Sequence, residues 1–110
     1  MNDSVLQSDA LYSSLATDPD LCELATMYVG EMPDKIVALK EAFSSGDLNT
    51  LRQKAHQLKG SAGSYGFDQL TPSAATLEAS IRSEQPLNQI REALNQVIGL
   101  CRRIRAATPQ

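Results

Sequence analysis

The stretch Asp47-Leu48-Asn49-Thr50-Leu51-Arg52-Gln53-Lys54-Ala55-His56-Gln57-Leu58-Lys59-Gly60-Ser61-Ala62-Gly63-Ser64-Tyr65-Gly66 decides the fold. Its apolar residues Leu48, Leu51, Ala55, Leu58, Ala62 and Tyr65 are spaced alternately by three and four, the period of a helix that buries one face. Gly46-Asp47 ends whatever precedes and offers a carboxylate to the free N–H groups of the new helix. The pattern stops near Gly66, where glycine suits a helix C-terminus.

The same period recurs on both sides of this stretch from residue 19 onward, and alternation with period two is nowhere sustained, so the chain reads as all-α. A helix is expected to open at Asp18-Pro19 and to carry Leu21, Leu24, Ala25, Tyr28, Val29 and Met32. Pro33 should interrupt it, with a second helix through Ile36, Val37, Leu39, Ala42 and Phe43 running to Ser44-Ser45-Gly46. Thr71-Pro72, as cap and first position, opens a helix along Ala74, Leu77 and Ile81 that fades at Ser83-Glu84-Gln85. Pro86 restarts the chain into a last helix with Leu87, Ile90, Leu94, Val97, Ile98, Cys101 and Ile104. Amphipathic helices joined by short connections bury their stripes against each other most economically as an antiparallel four-helix bundle, here expected over residues 18–110. Residues 1–17 show only Val5, Leu6, Leu11 and Leu15, and are expected to form a tail or a short accessory helix covering one end.

Composition limits what such a bundle can do. A chain of 110 residues suits one domain, and 42% apolar with 21% charged residues argues against global disorder. A net charge of −3 disfavours nucleic acid, whose binding rests on many cationic phosphate contacts. Cys22 and Cys101 form no CxxC pair and the chain has one histidine, so a zinc site lacks ligands. Both cysteines fall in helical stripes and are expected to be reduced, small core residues. No apolar run approaches the roughly 18 residues that span a bilayer, and MNDSVLQSDA lacks the regions of a signal peptide; no membrane and a cytoplasmic location are the expectation. An initiating Met, a plausible tail at each end and the lack of a linker-like stretch favour a free-standing protein over an excised piece of a hybrid sensor kinase, and a monomer is expected.

His56 lies roughly 130° from the centre of its helix's apolar stripe, at about 100° per residue, and so points outward. Its neighbours at offsets of three, four and seven are Asn49, Arg52, Gln53, Lys59, Gly60 and Gly63. Residues 47–65 hold Arg52, Lys54 and Lys59 against Asp47 alone, a local charge of +2 that favours an anion. Gly60 and Gly63 each cost a helix roughly 1 kcal/mol relative to Ala. On an exposed face they clear space beside the imidazole for another molecule, tight packing or end fraying being the alternative, above all for Gly63. An exposed imidazole flanked by Lys suits nucleophilic attack on phosphorus. ATP is not its expected donor, since GxxxxGK[ST], a glycine-rich lid and an acidic magnesium cluster are all missing.

The run Ala55-His56-Gln57-Leu58-Lys59-Gly60-Ser61-Ala62-Gly63-Ser64-Tyr65-Gly66-Phe67 resembles the signature of histidine-containing phosphotransfer (HPt) domains, H-x-L-K-G-S-A-x-x-x-G. The likeness extends through Leu70, Ala74, Leu77, Glu78 and Arg82 into the last helix, and implies a four-helix bundle. It implies that His56 accepts a phosphoryl group from an aspartyl phosphate of a response-regulator receiver and passes it to another, without autokinase activity. Lys59 would lie near the transferred group, Gly60 would leave room for the receiver's loops, and Glu78 would orient the imidazole through its other nitrogen. Several relatives carry Gln there, and a solvated helix position is the other reading of Glu78. Arg52, Gln53, Gly60 and Gly63 are expected to face the partner, Arg52 and Lys54 as general electropositive surface. No cofactor is expected on this chain, and magnesium is expected on the partner receiver. A helical adaptor, or a relative that binds receivers without turnover, is the alternative function.

Overall fold

The computed structural model describes residues 10–105. It contains four helices, α1 (Cys22–Ser44), α2 (Leu48–Ala62), α3 (Leu70–Arg82) and α4 (Leu87–Arg103), and a 3-10 turn, Gly63–Tyr65, at the end of α2. Successive helices are joined through residues 45–47, 63–69 and 83–86, which forces neighbours to reverse direction and closes an all-α four-helix bundle. The α2–α3 pair is packed most extensively, followed by α3–α4, with α1 closing the bundle against α2 and α4. Its core is built from Tyr28, Met32 and Leu39 of α1, Leu51 and Leu58 of α2, Leu70 and Leu77 of α3, and Ile90, Val97 and Ile98 of α4, with Phe67, from the connection between α2 and α3, fully buried among them. No helix among the described residues is long and apolar enough to cross a membrane.

The helix starts follow their local chemistry. Asp47 caps α2 through Oδ1, which accepts from Thr50 N at 3.1 Å. The Asp18 side chain instead accepts from Asp20 N at 2.9 Å, which makes a turn of residues 18–21 and delays α1 to Cys22. Helix α3 begins at Leu70, so Thr71 and Pro72 sit inside its first turn, where the N–H that proline lacks has no intrahelical partner to lose. Pro86 directly precedes α4, as expected.

Four expectations are corrected. Pro33 lies within α1 and does not divide it. It is exposed, and Tyr28, Met32, Leu39 and Ala42 continue one buried stripe across it. An interior proline costs about 3 kcal/mol, and each large side chain buried returns about 1.5–3 kcal/mol, so the stripe prevails. Leu21, Leu24, Val37 and Leu87, assigned to apolar stripes, are exposed: Leu21 precedes the helix, Leu87 opens α4, and Leu24 and Val37 lie roughly 75° and roughly 145° from the centre of the line of Ala25, Tyr28 and Met32. Cys22 is only half-buried, at the first residue of α1 with Sγ 3.6 Å from Pro19 O, whereas Cys101 is a core residue whose thiol is pushed up to about 11 by burial.

The fourth concerns the N-terminal segment. Its described part is neither helix nor free tail: β1 (Leu11–Tyr12) pairs in parallel with β2 (Ile104–Arg105), Leu11 opposite Ile104. Ser13 Oγ then donates to Tyr65 O at 2.7 Å and Ser14 N to Gly66 O at 2.9 Å, tying the segment to the end of α2. The apolar pair Val5 and Leu6 lies outside the described residues.

Candidate functional site

His56 sits on the outer side of α2 with 61% of its side chain exposed, as its helical angle predicts. Glu78 does not face solvent. The α2–α3 packing that buries Leu51, Ala55, Ala74 and Leu77 also carries Glu78 against α2, where its side chain is 4% exposed. The solvated reading of Glu78 is thereby excluded.

A buried carboxylate needs partners, and Glu78 has three. Oε1 accepts from Lys59 Nζ at 2.6 Å, while Oε2 lies 2.9 Å from His56 Nδ1 and accepts from Arg82 Nη2 at 3.1 Å. The Lys59 hydrogen bond, opposed by desolvation and helped by His56, holds the carboxyl down to about 2. Ionised, it can only accept, so Nδ1 must carry the proton. That leaves the lone pair of the neutral ring on Nε2, the nitrogen on the far side of the imidazole from α3.

The surroundings of the ring are cationic. Arg52, Gln53, Gln57 and Arg82 line a shallow depression beside His56, and Arg52 is steadied by Nη2 donating to Asn49 Oδ1 at 3.0 Å. Gly60 is exposed, and a Cβ placed on it would meet nothing within 4 Å. Gly63 is exposed too, but lies in the 3-10 turn, and a Cβ there would come within 3.1 Å of Asp68 Oδ1. Packing therefore accounts for Gly63 in a way it does not for Gly60. Lys54 faces a different groove, shared with Lys35, Gln57 and Ser61.

Arg82 is the site residue that the sequence reasoning did not single out. Its signal was available: Glu78 and Arg82 stand four apart on one helix, acid before base, the favourable order for a pair. What hid it was the unknown rotation of α3 against α2.

The rest of the histidine-bearing segment is structural. Tyr28 OH and Ser61 Oγ are 2.9 Å apart, and Tyr28 stacks on Tyr65 with ring centroids at 4.5 Å and on Phe67 at 6.0 Å. Gly66 takes a left-handed φ of 86° that ends the turn. These contacts fix the C-terminal end of α2 to α1 and so hold the outward register of His56.

Residues 23–107 match the family model of the Hpt domain, a span that takes in nearly all of α1 and the whole of α2, α3 and α4. No curated protein and no solved structure gives a significant match. With an all-α four-helix bundle and a match over most of its length, the chain belongs to the Hpt domain family, which implies a phosphorelay carrier role in two-component signalling and interaction with receiver domains.

Proposed function

We propose that His56 is the phospho-accepting residue of a reversible relay between receiver domains. The observation that carries this reading is the grip of Glu78 on Nδ1, which leaves an exposed Nε2 as the nucleophile. In the forward step Nε2 attacks the phosphorus of a receiver's aspartyl phosphate. The Nε2–P bond forms as the P–O bond breaks, and the aspartate leaves as a carboxylate. Discharge to a second receiver reverses these events. Lys59 and Arg82 place two cations near the developing charge, and Gly60 leaves room for the receiver's loops. Magnesium and most of the catalytic apparatus belong to the receiver, so this chain acts as a cytoplasmic, monomeric phosphocarrier without autokinase activity. A hybrid sensor kinase carrying a receiver is an equally suitable donor.

The test is incubation with a phosphorylated receiver. Acid-labile, alkali-stable label should appear on the protein and be absent from His56→Gln. Label that survives the substitution overturns the assignment, and no label from any receiver favours a non-catalytic adaptor.

A further inference from the structure

We propose that Glu78 keeps Nδ1 of phosphorylated His56 protonated, so that the phosphoryl group is carried as an N-phosphoimidazolium poised for discharge. This deepens the relay reading and rests on it.

A carboxylate and an amide make different demands on the ring. A glutamine in this place could rotate its amide and donate to an unprotonated Nδ1, whereas an ionised glutamate can only accept. With Oε2 2.9 Å from Nδ1, loss of the ring proton would set a lone pair against a carboxylate oxygen. Glu78 cannot turn away cheaply, because its side chain is buried and both oxygens are already committed to Lys59 and Arg82.

Phosphorylation requires no change in this bond. The neutral ring already carries its proton on Nδ1, so attack through Nε2 generates the imidazolium directly, with no proton transferred. When the Nε2–P bond later breaks, both its electrons return to nitrogen and the departing group is neutral imidazole. Were Nδ1 deprotonated, the leaving group would be an imidazolide anion, a much poorer one.

The other charged groups near the ring all oppose its protonation. Arg52 and Lys59 come from α2 and Arg82 from α3, while no described residue of α1 lines the depression beside the ring. Among the described residues around the ring, Glu78 alone favours the extra positive charge. Its removal should therefore be felt directly at Nδ1.

The full-length chain, uniformly labelled with nitrogen-15, is phosphorylated with potassium phosphoramidate, and the ring nitrogens are followed by NMR across a pH series. One histidine gives one set of ring signals. The proton on Nδ1 of phospho-His56 should persist to a higher pH than in N-acetyl-phosphohistidine amide. In Glu78→Gln it should be lost at least about one pH unit earlier than in the wild type, and in mildly alkaline buffer the phosphoryl group should be discharged to water about tenfold more slowly. The wild-type comparison with the amide decides the matter even if Glu78→Gln folds poorly. Phosphohistidine that forms normally but titrates no higher than the amide overturns this inference and leaves the relay intact. Failure of the wild type to form phosphohistidine overturns the relay reading and this inference with it.

Discussion

Lys59 Nζ is bound to Glu78 Oε1 at 2.6 Å, so the cation one turn beyond His56 is anchored across the α2–α3 interface and does not trail in solvent. The contact does two things: it keeps a buried carboxylate ionised, and it holds an ammonium group on the histidine's side of α2. Lys59→Ala should therefore affect both rate and stability. Transfer from a phosphorylated receiver should slow by about tenfold or more. The melting temperature should fall further than in Lys35→Ala, whose ion pair with Glu31 is exposed at 3.5 Å. Equal melting temperatures for the two variants would mean that the Lys59–Glu78 bond contributes no more to folding than the contacts of Lys35 with Glu31 and the Tyr28 ring.

Acid should attack the same bond. The Glu78 carboxyl lies at about 2 in the folded protein against an ordinary 4.5, chiefly because of the Lys59 hydrogen bond. The folded state thus binds fewer protons than the unfolded state between these values. Its contribution to stability is complete above about 4.5 and is lost as the pH falls towards 2. Melting temperatures measured across that window should decline less steeply for Glu78→Gln than for the wild type. Parallel declines would place the acid sensitivity elsewhere.

Arg82 differs from Lys59 in being 60% exposed, with Glu78 its partner at 3.1 Å. Arg82→Ala leaves Glu78 both Lys59 and His56, and should change the melting temperature little. Its charge beside the ring should nevertheless favour an incoming phosphoryl group, so transfer should slow severalfold at low ionic strength and less at high salt, where exposed charges are screened. A rate defect that salt leaves untouched would point to direct contact with the phosphoryl group.

The degree to which the sequence announced this site follows from what single-helix geometry can specify. His56, Lys59 and Gly60 share one face of α2, and their relation was readable from the helical period and the motif alone. Glu78 could be named but not weighed, because its burial depends on how α3 is turned against α2. Arg82 then follows once Glu78 is fixed. In the fold, the stripes of α2, α3 and, past the exposed Leu87, α4 were legible, while Pro33 misled because a proline's local cost says nothing of the stripe that continues past it. The pairing of Leu11 with Ile104 was out of reach: two residues cannot show a strand period, and their partner is at the other end of the chain.

The two glycines of the motif, Gly60 and Gly66, should respond oppositely to the same substitution. At Gly66, φ is 86°, and a Cβ would collide with Ser13 Oγ and approach Ser14 N at 2.7 Å. Gly66→Ala should therefore destabilise the fold by about 2–4 kcal/mol by combining left-handed strain with displacement of the N-terminal segment. Transfer by the fraction that remains folded should be unchanged, since nothing near the imidazole is altered. At Gly60 a Cβ would meet nothing within 4 Å, so Gly60→Ala should stabilise α2 by about 0.5–1 kcal/mol. If that open space admits the receiver, the same methyl group should slow transfer by raising the KM for the phosphorylated receiver. Thermal melts and transfer kinetics on both variants check the pair. A Gly60→Ala protein that is more stable and transfers at the wild-type rate would remove Gly60 from the docking surface.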